Sequence, residues 1–223
     1  MTKGQAWLDV SIISNRSAAG RLLRAPLRLL PAHMWVPILQ GPLRGQWWII
    51  GSATHGCWLG SYEFKKQRCF ASALKPGDVV YDIGTHAGFY SLLAAVQVGS
   101  EGRVVAFEPL PRNLAFLRAH LTKNKLTNVI VQEVALSDRR GTRYLDDSAG
   151  SSQARLAADG SHAVECRTLD ELVESGIIPP PDLIKIDVEG AELSVLLGGE
   201  ATIRTRKPVL FVATHDADTH AAC

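Results

Sequence analysis

Residues 78–83 read DVVYDI and run directly into Gly84-Thr85-His86-Ala87-Gly88. A β-branched run that ends on an acid and a glycine predicts a buried strand feeding a tight loop. Phe89, Leu92, Leu93 and Val96 then recur at i, i+3, i+4 and i+7, the spacing of a helix with one apolar face. The stretch therefore predicts one strand–loop–helix unit, with the loop at the carboxyl end of the strand.

The unit repeats on either side of residues 78–98. Gly99 and Gly102 bracket a turn into a second strand at 103–107 (RVVAF); Leu110, Leu114, Leu117 and Leu121 stripe a second helix; 128–134 (NVIVQEV) reads as a third strand. The polar stretch 137–162 predicts a short strand near 142–145 and a mobile loop at Gly150-Ser151-Ser152. Thr168 with Glu171 forms a capping box, which starts another helix. Pro179-Pro180-Pro181 leads into a fourth strand at 182–187 (DLIKID), a helix over 191–197 closed by Gly198-Gly199, and a fifth strand at 208–213 (PVLFVA). Alternation of apolar strands with helices predicts an α/β fold, a Rossmann-like parallel sheet covered on both faces. The turn Lys75-Pro76-Gly77 separates this domain, residues 75–223, from a basic and aromatic extension, residues 1–74, expected to pack on its core.

Composition narrows the function classes. The chain has 223 residues, 46% of them hydrophobic and 21% charged, and a net charge of only +2. That balance gives no ground for a nucleic-acid partner, which needs a concentrated basic face. The charge is unevenly spread: no acid lies between Asp9 and Glu63, while Arg16, Arg21, Arg24, Arg28 and Arg44 do. Such an arm is either solvated or able to touch an anionic membrane surface peripherally. Trp35, Trp47, Trp48, Trp58, Tyr62 and Phe64 cluster in the extension, where they either pack or line an acceptor pocket. Cys57, Cys69, Cys166 and Cys223 show no zinc-like spacing and no disulfide pattern, so no structural metal is expected and a reducing, cytoplasmic location follows. No secretory leader is read at residues 1–10, and no apolar run is long enough to span a membrane.

In such sheets ligands bind beyond the carboxyl ends of the strands, where strand order reverses. Three strand ends here carry acids. Asp82 precedes the loop of Gly84, His86 and Gly88, whose glycines permit close backbone approach. His86 stands where a dinucleotide-binding loop has its middle glycine, which favours a smaller nucleoside ligand over a pyrophosphate. Glu108, followed by Pro109, ends the second strand, where a carboxylate can accept from ribose hydroxyls. Asp187 lies in Lys185-Ile186-Asp187-Val188-Glu189-Gly190-Ala191-Glu192, where the reacting end of a cofactor would lie, placed to face either the cofactor's amino group or the acceptor; Glu189 and Glu192 either join it or favour the helix N-terminus.

The first loop, Phe107-Glu108-Pro109, Ala135-Leu136-Ser137-Asp138 and the run from Lys185 to Glu192 together resemble the FkbM family of methyltransferases, from about Gly60 to the C-terminus. The resemblance implies S-adenosylmethionine as methyl donor and O-methylation of a small-molecule or glycan acceptor, often a sugar or natural-product hydroxyl. It implies that Asp82, Gly84 and Gly88, with His86 in their loop, wrap the methionine part. Glu108 with Pro109 would hold the ribose, and Leu136 with Ser137 would lie near the adenine. Family members continue with a further helix and two strands, whereas this chain stops at Cys223, shortly after Thr214-His215-Asp216. A truncated product is expected, with the fifth strand left as an edge.

A hydroxyl acceptor must lose its proton, and His215, Asp187 and His86 are the candidate bases. A metal-assisted variant would draw on Asp187, His215 and Asp216. Two rival classes share the fold: a nicotinamide-dependent oxidoreductase and a non-catalytic cofactor-binding remnant.

Overall fold

The computed structural model describes residues 7–9, 22, 25–146, 155–157, 160, 162–214, 220–221 and 223. The chain divides into two units, Met1–Ser72 and Ala73–Cys223.

In the first unit, β1 (Trp35–Pro37) and β2 (Trp47–Ile49) form an antiparallel pair with Trp35 opposite Ile49. The helices α1 (His55–Leu59) and α2 (Phe64–Ala73) follow. Gly60 ends α1 in the left-handed region, at φ +73°, and its carbonyl accepts from the Trp7 indole at 2.7 Å. The Trp7 ring meets the Phe64 ring edge-on at 4.8 Å, and the Arg68 guanidinium lies over both. Trp48 and Trp58 are buried with Ile38 and Leu43, so these two indoles serve packing, whereas Trp47 is exposed. Arg16, Arg21 and Arg24 of the basic arm lie outside the described residues.

The second unit runs β3 (Val79–Ile83), α3 (Phe89–Val98), β4 (Arg103–Phe107), α4 (Pro111–Lys123), β5 (Val129–Gln132), β6 (Ala135–Leu136), β7 (Gly141–Asp146), β8 (Arg155–Ala157), β9 (His162–Arg167), α5 (Leu169–Glu174), β10 (Leu183–Ile186), α6 (Glu192–Leu197), α7 (Glu200–Arg206) and β11 (Val209–Val212). Five strands pair in the order β11-β10-β3-β4-β5, all parallel, as the apolar alternation predicts. From β3 the chain moves outward through β4 to β5, then returns to the other side of β3 with β10 and β11. The order reverses beside β3, and sheets of this kind bind ligands beyond the carboxyl ends of the strands at such a point, here those of β3, β4 and β10.

Successive strand residues point to opposite faces. On one face Tyr81, Ile83, Val105, Phe107, Ile184 and Ile186 pack with Leu136, Leu169, Leu172, Ile178 and Val195. Each such fully buried aliphatic side chain contributes about 1.5–3 kcal/mol of transfer free energy. Val80, Asp82, Val104 and Ala106 occupy the alternate positions and are as completely buried. Asp82 is thus a charged side chain on a core face.

Several elements differ from the sequence expectations. The third strand ends at Gln132, not Val134, and Ala135–Leu136 joins a separate sheet of order β6-β9-β7-β8. The strand expected near 142–145 is β7, and it pairs with a strand not anticipated, β9, Gly141 facing Cys166 and Leu145 facing His162. A helix not anticipated, α7, follows Gly198-Gly199; the Asp170 carboxylate caps it from α5, accepting from Ala201 N–H at 3.0 Å and Thr202 N–H at 2.8 Å. The Thr168 cap forms as expected, its hydroxyl accepting from Glu171 N–H at 3.1 Å. The loop at Gly150-Ser151-Ser152 lies outside the described residues. Among those described, no helix is long and apolar enough to cross a membrane.

Candidate active site at the strand ends

Asp82 and Lys185 face each other in register on β3 and β10, so their side chains share one face of the sheet. The Lys185 ammonium donates to Asp82 Oδ1 at 3.1 Å and lies 3.7 Å from Asp187 Oδ2, with the Tyr90 ring face 5.0 Å away. Ser91 of α3 donates to Asp82 Oδ2 at 2.6 Å, and its hydroxyl is 2.5 Å from that of Thr85. Asp82 is 0% exposed and Lys185 only 7%. A buried charge is tolerated where it is paired and hydrogen-bonded. Both oxygens of Asp82 are engaged within the protein, one by Lys185 and one by Ser91 at the start of α3. Asp187, one residue beyond β10, is partly exposed at the mouth of this chain of groups.

Glu108 lies just past β4 and is nearly fully buried. Its Oε2 accepts from His86 N–H at 2.8 Å; its Oε1 accepts from Leu110 N–H at 2.9 Å and Asn113 Nδ2 at 3.2 Å. Burial pushes its carboxyl up to about 6, against the lowering effect of these three bonds and with a smaller push from Asp82. His86 reaches Glu108 because its backbone adopts a left-handed conformation, φ +52°, which costs a non-glycine residue about 1–2 kcal/mol. Its imidazole is held below the usual histidine range, first by burial and then by the Arg112 and Lys185 charges. The ring is therefore neutral at neutral pH, the form that accepts a proton.

The glycines of the first loop make room for protein atoms. A Cβ on Gly84 would sit 1.9 Å from the Asp187 carbonyl oxygen, and one on Gly88 would sit 2.4 Å from Leu117 Cδ1. Protein atoms fill both spaces. Gly84 lets the ends of β3 and β10 close on each other, and Gly88 seats α3 against α4. The run after Asp187 is also held internally: Glu192 is fully buried, and its Oε1 accepts from Gly190 N–H at 3.2 Å and, at the longer distance of 3.4 Å, from Val188 N–H. Glu189 stands in the left-handed region at φ +51°. Glu192 thus shapes the loop that carries Asp187.

The remaining candidates fall as follows. Pro109 is half-buried beside Glu108, and Leu136 and Ser137 are buried. Ser137 donates to Asp138 Oδ1 at 3.0 Å, and a Cβ on Gly198 would sit 2.0 Å from its carbonyl oxygen. His215 and Asp216 lie outside the described residues. Among the described residues no group of three or more His, Cys, Asp or Glu side chains has the arrangement of a metal site. Ser91 and Asn113 carry no signal in the sequence that marks them for this site, and Lys185 has no role apparent from its motif alone. The signal lies in its position: a lysine between two isoleucines in a central strand has to be paired.

Beneath the loop, His120 of α4 is fully buried and its Nδ1 lies 2.8 Å from the Ala87 carbonyl oxygen. Burial pushes its imidazole down to about 4, from an ordinary value of 6.5. A depressed folded value makes this contribution fully present above pH 6.5 and lost as pH falls toward 4. Between those limits the wild type should lose about 3 kcal/mol more unfolding free energy than His120→Gln. Parallel urea titrations at several pH values would read the difference, and identical slopes would show that His120 charges freely in the fold.

Residues 82–221 match the Methyltransferase FkbM domain family. The hexuronic acid methyltransferase AglP of Haloferax volcanii is 33% identical over 123 residues, which cover 54% of this chain and 49% of that protein. The 2-O-methyltransferase NoeI of Sinorhizobium fredii is 29% identical over 164 residues, 65% of each chain. The 31-O-demethyl-FK506 methyltransferase FkbM of Streptomyces tacrolimicus is 29% identical over 194 residues, 70% of this chain and 74% of that protein. The chain thus spans about half the length of AglP and 65% of NoeI. The crystal structure of a methyltransferase FkbM from Methylobacillus flagellatus superposes with a TM-score of 0.46 at 18% identity, over 72% of this chain and 44% of that one.

Proposed function

The chain belongs to the FkbM methyltransferase domain family, and from that premise we propose that it is an S-adenosylmethionine-dependent methyltransferase acting on a hydroxyl of a sugar or natural-product-like small molecule. The hydroxyl acceptor is supported by relatives whose names specify a 2-O position and a 31-O position as the methylated group, and the sugar class by one named for a hexuronic acid.

The observation that carries the reading is Glu108: a buried carboxylate at the switch point, held by three donors and facing no cation among its hydrogen-bond partners. Such a group suits the hydroxyls of a ribose. It does not suit a pyrophosphate, and His86 stands where a dinucleotide-binding loop has the glycine that lets the backbone approach one. This weighs against a nicotinamide-dependent oxidoreductase. In this reading Glu108 and Pro109 hold the ribose, the Asp82, Gly84, His86 and Gly88 loop with Asp187 borders the methionine part, and Leu136 with Ser137 borders the adenine.

When bound, the cofactor supplies an electrophilic methyl group on a positively charged sulfur. The protein's own contribution is to hold an acceptor oxygen about 3 Å from that carbon and in line with it. Removal of the hydroxyl proton by a positioned base adds roughly 10²- to 10⁴-fold. His215, which follows Val212 closely in sequence, is the first candidate. Asp187, anchored by Lys185, and the neutral His86 are the others. The reading assigns the protein to the cytoplasm, where its four cysteines stay reduced.

Isothermal titration should detect S-adenosylmethionine binding and no NAD binding. Glu108→Ala should weaken that binding by at least ~1.5 kcal/mol, the lower end for a hydrogen bond to a charged group. Affinity should also fall below pH about 6 as Glu108 takes up a proton. Affinity for NAD, or a Glu108→Ala protein that binds as the wild type does, would overturn the reading.

A further inference from the structure

Charge is partitioned between the two units of this chain. Met1–Ser72 carries nine Lys and Arg against two Asp and Glu, a net +7, whereas Ala73–Cys223 carries fifteen against twenty, a net −5. The overall value of +2 therefore conceals a strongly cationic first unit. Its field reaches about one Debye length, ~8 Å at physiological salt, so it acts on a surface that the unit touches.

Cationic charge alone suits any polyanion, but the same unit also exposes large apolar side chains. Trp47 and Pro37 stand opposite each other in the β1–β2 ribbon, so their side chains share one face, and both are exposed. Leu39, two residues past Pro37, is 51% exposed, and Arg44 lies exposed in the connection that leads back to β2. The backbone of that connection is fixed. Ile38 N–H donates to the Gln46 carbonyl at 2.7 Å, Gly45 N–H to the Ile38 carbonyl at 2.9 Å, and Leu39 N–H to the Trp58 carbonyl at 3.0 Å. Ile38 and Leu43 anchor it from within, both buried. Leu39 is thus held out in water while apolar neighbours in the same loop turn inward. A single exposed apolar residue is ordinary; a proline, a leucine and a tryptophan at one end of a ribbon, in a unit of this charge, mark an interaction surface. A soluble polyanion would engage the cations and leave these side chains in water. A bilayer interface takes both, because Trp and Leu enter the boundary between headgroups and acyl chains while Lys and Arg meet lipid phosphates.

We propose that the first unit docks on an anionic phospholipid surface, with the Pro37, Leu39 and Trp47 end of its ribbon entering the headgroup layer and its basic residues meeting the phosphates. The proposal is independent of the methyl-transfer reading, since none of these residues belongs to the strand-end site.

The test is co-sedimentation of the full chain with vesicles of phosphatidylcholine alone and of equal parts phosphatidylcholine and phosphatidylserine. Binding should favour the anionic vesicles by about tenfold or more and weaken as salt is raised. Arg44→Gln should weaken it by about fivefold, the scale of one basic residue at such a surface. Leu39→Asn, which alters no charge, should weaken it by about threefold to tenfold, as roughly half a leucine side chain stays in water. Both variants should melt as the wild type does, and both should bind heparin, a soluble polyanion, in proportion to their charge alone. A wild type that prefers neither vesicle would overturn the proposal. So would a Leu39→Asn protein that folds and binds anionic vesicles undiminished, because charge alone would then be at work. Self-association that Leu39→Asn abolishes, without vesicle binding, would assign the surface to a second copy and overturn it as well. If Leu39→Asn does not fold, wild-type tryptophan emission decides: anionic vesicles with brominated acyl chains should quench it, and unquenched emission would show that the ribbon does not enter the lipid.

Discussion

Lys185→Met should lower the unfolding free energy by about 3–5 kcal/mol, the range observed when one partner of a buried ion pair is removed. The substitution keeps an unbranched side chain of similar length, so packing changes little. The loss arises because Asp82, with no exposure, keeps only the Ser91 hydroxyl as a donor on its remaining bond. For a domain whose total stability is on the order of 5–15 kcal/mol, that is a large share. Denaturant titration of Lys185→Met, Asp82→Asn and the double variant would measure it. The double variant should recover much of the loss, because no buried charge is left unmatched. A single variant within about 1 kcal/mol of wild type would show that the pair contributes little to the fold.

Gly84→Ala should be nearly as severe, by a different route. The residue stands at φ +76°, where an L side chain is disfavoured by about 1–2 kcal/mol. Its new methyl would also lie 1.9 Å from the Asp187 carbonyl oxygen, a backbone atom with no rotamer to adopt. Overpacking typically adds 1–3 kcal/mol, so a total of about 2–5 kcal/mol is expected, and β3 and β10 must separate at their carboxyl ends. Because that separation moves Asp187, cofactor affinity should fall together with the melting temperature. A Gly84→Ala protein that melts normally would show that the two strand ends are not in close contact.

The parallel sheet was legible because each of its strands carries its own signal, a short run dominated by branched and aromatic apolar residues such as RVVAF or VLFV, separated from the next by a helix-spaced stretch. The acids at 82, 108 and 187 were legible for the same reason, since a polar residue at the end of an apolar run has few structural uses. What escaped depends on contacts distant in sequence. Helix α7 has Gly199 at its N-cap and no local capping side chain; the carboxylate that caps it belongs to Asp170, on another helix. Strand β9 buries only Val164 and Cys166 on one side of a polar ribbon, a two-residue signal too weak to stand out until its pairing with β7 is known. The partition of Asp82 and Glu108 into different tasks was equally hidden. Both read as acids at the end of a strand, and only the lysine opposite Asp82 shows that one of them sits in a buried ion pair.

The Asp82–Lys185 pair also limits how this sequence can drift over generations. Either residue alone is a liability in the core, so a lineage moving from the charged pair to an apolar one must cross a poorly folded intermediate. Selection against that intermediate keeps both groups or sheds both in close succession. The two positions are therefore inherited as a unit, and a crossover that brings β3 from one parent and β10 from another succeeds only if the parents agree at both.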